Sequence, residues 1–141
     1  MPILPEGRRK RYMQKLHHGR QRIELVEEWQ KEKISEHETK NLLAIEKAAQ
    51  EVIEAATDLI AMILKDKSIP PTDDYTNIDR ILELEFITKE VGGSMREANG
   101  LRNRLIHVYN DVDVGVLLQS IKRVLPGIAK FFDEVEKWLS I

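Results

Sequence analysis

One spacing constrains this chain more than anything else in it: along most of its length, apolar residues recur at alternating intervals of three and four. Leu42, Ile45, Ala49, Val52, Ala56, Leu59 and Ile63 keep that rhythm in one segment. Val114, Leu117, Ile121, Val124, Ile128, Phe131, Val135 and Trp138 keep it in another. Residues so spaced return to one side of an α-helix and bury against a second helix along a seam. Strand-like alternation is nearly absent, so the chain is predicted to be all-α. Its 141 residues, 42% of them hydrophobic, suit a single domain over residues 1–141 with one core.

The first helix is expected from Pro5 or Arg8 to about Lys33, with Tyr12, Leu16, Gly19, Ile23 and Val26 on its apolar stripe. The second, from about Glu36 to Leu64, is apolar around more than half its circumference, which places it at the centre of a bundle or against a partner subunit. Pro70 and Pro71 break the pattern in a loop over residues 65–76, because proline lacks an N–H donor and its predecessor avoids the helical region. A short helix from about Asn77 to Val91 is then expected to close at Gly92 and Gly93. Ser94 with Glu97 reads as the capping box of the next helix, running from residue 95 to about 108. Asp111 or Asp113 would cap the last helix, in which Pro126 and Gly127 predict a kink without ending the seam. The sum is an antiparallel four-helix bundle with one additional short helix.

Absence of cysteine excludes disulfides and thiolate chemistry, and fits a cytoplasmic protein. No apolar run approaches the roughly 20 residues that span a bilayer. A net charge of −2 gives no overall attraction to nucleic acid, so any such contact needs a local patch. One exists: Arg8, Arg9, Lys10, Arg11, Lys15, Arg20 and Arg22 fall in fifteen residues without an acidic one. That stretch fits RNA binding about as well as it fits a solvated helix face or a docking surface for an acidic partner. Adjacent His17 and His18 point about 100° apart on a helix, which suits a solvated pair better than a metal site. The acidic Asp111 and Asp113 read as helix caps, and Trp29, Trp138, Phe131 and Phe132 as core or interface residues.

The chemistry gathers in "GLRNRLIHVYND", residues 100–111. At about 100° per residue, Ala98, Leu101, Leu105 and Val108 share one side of the helix, the core side. His107, Asn103, Asn99 and Gly100 fall opposite, with Arg102 and Tyr109 in line on the flank between. A lone Arg or His on a helix surface is ordinarily only solvated. Four polar residues converging beside a glycine, which costs about 1 kcal/mol of helix propensity, make a site and a solvated surface equally good readings. The glycine suggests close approach by another backbone, and a symmetry-related copy is the simplest candidate.

The pattern "RNRLIHVY" resembles the motif of HepT-like proteins of the HEPN superfamily. The order of a basic first helix, an alanine-rich second helix, a loop, a short helix, the motif helix and a final "VLPGIAKFFDEVEKWL" follows the same family. The resemblance implies a homodimeric, metal-independent endoribonuclease needing no cofactor. It would be the toxin of a toxin–antitoxin pair whose partner, a minimal (MNT-type) nucleotidyltransferase, silences it by adenylylating the motif tyrosine. It makes Arg102 and His107 the catalytic pair, Asn103 the supporting polar residue and Tyr109 both a supporting residue and the modification site. The residue types suit that chemistry: histidine can act as base or acid near neutral pH, and arginine holds a phosphate without losing its proton. A catalytically silent HEPN module that binds nucleotide or RNA beside a nucleotidyltransferase is the alternative, and a purely structural helical dimer a third.

Overall fold

The computed structural model describes residues 2–32, 39–106 and 113–140. Five helices make up the fold: α1 (Glu6–Lys31), α2 (Thr39–Asp66), α3 (Asp74–Glu83), α4 (Lys89–Ile106) and α5 (Val114–Ser140). The long helices α1, α2, α4 and α5 form the expected bundle, and α3 is the short addition, packed on α2 and α4. No strand occurs among the described residues.

Contacts between the helices fix their directions. Along α1, Arg8 meets Asp66, Lys15 meets Asp58 and Arg22 meets Glu51, so α2 runs antiparallel to it. Gln30 donates to the Leu118 carbonyl at one end of α1 while Arg9 donates to the Leu139 carbonyl at the other, so α5 also runs against α1. The apolar stripe of α1 is buried as the spacing predicts, at Tyr12, Leu16, Gly19, Ile23 and Val26. At Gly19 an added Cβ would stand 2.6 Å from Phe132 Cζ and 3.2 Å from Ala55 Cβ, so α1 approaches both neighbours only because that residue has no side chain.

The loop expected over residues 65–76 shortens to 67–73, because α2 runs to Asp66 and α3 already begins at Asp74, and two helix ends close without glycine. The chain turns after α3 at Glu85, whose φ of 57° is in the left-handed region. Phe86 N–H bonds back to the Ile81 carbonyl and Glu85 N–H to that of Leu82, the paired pattern of a Schellman motif. Ser68, at φ 63°, closes α2 in the same way through Ile69 to Leu64 and Ser68 to Lys65. Glycine therefore marks neither stop. Gly92 and Gly93 lie inside α4, and the expected boundary at residues 91–94 is corrected to residues 84–88. Thr88, not Ser94, caps α4, its hydroxyl accepting from Val91 N–H at 3.2 Å. Asp73 starts α3 by accepting from Thr76 N–H at 2.9 Å, and those bonds hold its carboxyl below the usual range. Of the two candidate caps for α5, Asp113 accepts from Val116 N–H at 3.1 Å, whereas Asp111 lies outside the described residues. Pro126 and Gly127 do not divide α5.

Tyr12 is fully buried at the edge of this core and donates to Asp66 Oδ2 at 2.5 Å. Burial, reinforced by Asp66, raises its pKa well above the ordinary tyrosine value. The folded state therefore keeps the proton when the unfolded chain, ionising near pH 10, gives it up. This contribution is complete below pH 10 and is lost as pH rises beyond it. Urea midpoints measured from pH 9 to 11 should fall, and Tyr12→Phe should flatten that fall while lowering stability at neutral pH by about 1 kcal/mol.

Candidate functional site

Helix α4 carries the first part of the motif, residues 102–106, and its other side is core. Ala98, Leu101 and Leu105 are buried, as the angular placement predicts, and Asn103 is exposed. Arg102 lies between, its side chain 26% exposed. His107 and Tyr109 fall outside the described residues.

The opposite side of α4 is less open than its own periodicity suggests. Asn99, expected to face away from the core, is only 3% exposed, and Gly100 is half-buried. Besides α5, both α3 and α2 pack on α4 and wall in this side of it. A Cβ on Gly100 would meet the Tyr75 hydroxyl at 3.5 Å, an ordinary contact. At this position the neighbour is thus the first turn of α3 in the same chain, and the glycine is not required for its approach. The Tyr75 ring in turn carries the Arg96 guanidinium 5.2 Å from its centroid, and Arg96 pairs with Asp79 at 2.6 Å.

Two carboxylates that the motif gives no hint of converge on Arg102. Asp74, from the first turn of α3, accepts from Nη1 at 3.2 Å, and Glu54, from α2, stands 3.9 Å from Nε. Gln50 Nε2 orients Glu54 from one turn away, at 3.0 Å. Two buried polar atoms in this region have no hydrogen-bond partner among the described residues: Arg102 Nε and, one turn earlier on α4, Asn99 Oδ1. Buried polar atoms are ordinarily satisfied, so the pair marks a place where the fold leaves hydrogen-bonding capacity unused.

The basic N-terminal stretch divides in two. Arg8, Lys15 and Arg22 are committed to Asp66, Asp58 and Glu51 of α2, and Arg20 to Asp133 and Glu136 of α5. Arg9 holds the Leu139 carbonyl at the end of α5. Five of the seven cations thus bind the bundle together. Lys10 and Arg11 point outward, with no acidic partner among the described residues. Nearby, His18 stands 3.6 Å from Glu51 and His17 is exposed. No group of three or more possible metal ligands converges among the described residues, and no described helix is long and apolar enough to cross a membrane.

Comparison with known proteins agrees with this fold. The profile of the family described as "Ribonuclease HepT-like" matches residues 18–135. A protein of Archaeoglobus fulgidus named "Putative RNase" is 40% identical over 84 residues, which are 60% of this chain and 64% of that one. The chain is 28% identical over 100 residues to the tRNA nuclease HepT of Aphanizomenon flos-aquae, covering 69% of this chain and 67% of that one. Among solved structures, a tri-AMPylated Shewanella oneidensis HEPN toxin in complex with MNT antitoxin superposes with a TM-score of 0.81 at 15% identity, over 89% of this chain and 96% of that one. At that identity the likeness is one of fold.

Proposed function

Because the chain belongs to the HepT-like ribonuclease family, we propose that it is a metal-independent endoribonuclease, the toxin of a pair with an MNT-type nucleotidyltransferase antitoxin, working in the cytoplasm as a homodimer. The observation that carries this reading is the state of Arg102, held by Asp74 at Nη1 with its Nη2 left without a partner among the described residues. A positive group so presented suits a phosphate.

In the proposed reaction His107 takes the proton of a ribose 2′-hydroxyl, whose oxygen attacks the adjacent phosphorus. The bond to the 5′-oxygen breaks, and that oxygen is protonated by an imidazolium, for which a dimer supplies a second His107. A 2′,3′-cyclic phosphate and a free 5′-hydroxyl result. Arg102 offsets charge on the phosphate oxygens through the transition state. Asn103 orients His107 or a phosphate oxygen, and Tyr109 hydrogen-bonds the same phosphate. AMP on the Tyr109 hydroxyl would then put bulk and negative charge where the substrate phosphate binds. Expression of the chain alone should arrest growth of a bacterial host, and co-expression with a cognate nucleotidyltransferase should relieve the arrest and leave AMP on Tyr109. Unimpeded growth on expression of the chain alone, with folded protein present, contradicts the toxin reading.

RNA approach is assigned chiefly to Lys10 and Arg11, with Arg8, Arg9, Lys15, Arg20 and Arg22 adding their field while serving the fold. Each phosphate contact on single-stranded RNA contributes about 0.7 to the slope of log K against log salt. Lys10→Gln with Arg11→Gln should therefore flatten that slope by about 1.4 without changing thermal stability. Arg8→Gln and Arg20→Gln should lower thermal stability instead. An unchanged slope in the double variant would assign the outward face of α1 to something other than RNA.

A further inference from the structure

The carboxylates beside Arg102 present a puzzle under the proposed function, because negative charge next to a phosphate-binding arginine repels the substrate. Asp74 and Glu54 come from different helices, α3 and α2, and reach the same guanidinium from separate sides. Neither belongs to the motif. Their placement resolves the puzzle once the guanidinium is considered group by group. Asp74 accepts from Nη1, and Glu54 stands 3.9 Å from Nε, which is shut off from solvent and has no hydrogen-bond partner among the described residues. Both N–H groups of Nη2 are left without a partner among the described residues. The planar fork is thus hydrogen-bonded at Nη1, faced by a carboxylate across 3.9 Å at Nε, and open at Nη2 among the described residues.

We infer that Asp74 and Glu54 are positioning residues, which fix the plane of the Arg102 guanidinium and aim its Nη2 at the scissile phosphate. This rests on the ribonuclease reading above and adds to it a cost and a benefit. The cost is weaker attraction for the substrate phosphate, since two negative charges stand behind the positive one. The benefit is a donor already oriented when charge develops on the phosphate, instead of one that must be ordered during reaction. Gln50, bonded to Glu54, extends the support by one side chain.

The two effects have opposite signs in kinetics, and this makes the inference testable. Asp74→Asn and Glu54→Gln keep shape and remove charge. Each should lower kcat on a defined single-stranded RNA by about 10- to 100-fold, the effect of a slightly misplaced group, while KM stays level or falls. A merely structural role would instead lower the melting temperature and raise KM as kcat drops. A second readout does not depend on activity: the Arg102 Nε–H resonance of 15N-labelled protein should exchange slowly with solvent in the unmodified chain and rapidly in both variants. Unchanged kcat in the two variants, or a fall in kcat matched by a rise in KM, overturns the inference. If the unmodified protein cleaves no RNA, the ribonuclease reading fails by itself, and the resonance decides the grip: fast exchange in the unmodified chain sinks it.

Discussion

Arg102→Ala will cut RNA cleavage by about 100- to 1,000-fold and His107→Ala by about 100- to 10,000-fold, with helix content unchanged. For the arginine the size follows from its place in the reaction. A donor aimed at a phosphate oxygen does most when negative charge accumulates there, and loses that effect entirely on truncation. Arg102→Lys should recover little, since an ammonium cannot satisfy Asp74, face Glu54 and donate to a phosphate in one plane. For the histidine the size follows from proton transfer, which no neighbouring side chain of the motif could perform near neutral pH. The two groups act in one step, so the double variant should be scarcely worse than the weaker single one. Initial rates on a defined RNA, with circular dichroism as the check on folding, measure all four proteins. An Arg102→Ala variant within a few-fold of the unmodified enzyme would remove that residue from the reaction.

Gly127→Ala should be the most disruptive single methyl group in the fold. At the crossing of α4 and α5, a Cβ on Gly127 would fall well inside contact distance of both Ser94 Cβ and Ser94 Oγ. These are not the loose end of a long side chain, so the helices themselves must separate. Overpacking of this kind costs about 1–3 kcal/mol, from which alanine's better helix propensity recovers up to about 1 kcal/mol. Because α4 also carries Arg102, the same displacement should lower activity along with the melting temperature. Ser94→Gly frees the same space from the other side, so Gly127→Ala with Ser94→Gly should restore much of the loss, an interaction that a double-mutant cycle in urea reads directly. Additive losses in the cycle would place the strain elsewhere.

The fold was legible in the sequence wherever one helix face answers to one core. All five stripe residues of α1 are buried, as is most of the seam of α5, because a three–four rhythm has a single geometric solution. Helix ends were less legible. Glu85 and Ser68 take the left-handed turns for which glycine is the usual signal, while Gly19 and Gly127 serve close helix packing. A glycine in a sequence announces freedom of either kind, not which is used.

In the site, Arg102 was readable from its motif and its flank position, but its surroundings were not. Asp74 is 28 residues away and Glu54 lies on another helix, and no local spacing links either to the arginine. Angular arithmetic puts Asn99 on the open side because it assumes one wall, whereas α4 packs against α5, α3 and α2. The basic stretch misled in a similar way: composition shows seven cations, and only the packed bundle shows the acidic residues of α2 and α5 that meet four of them.

In the proposed function, side chains alone cleave RNA through attack of the 2′-hydroxyl. The most direct test is to incubate the purified protein with a defined RNA in excess EDTA and determine the ends of the fragments. Cleavage should be undiminished by EDTA and leave 2′,3′-cyclic phosphate on one new end and a 5′-hydroxyl on the other, all absent with His107→Ala. Cleavage that EDTA abolishes, or fragments carrying a 5′-phosphate, would contradict it.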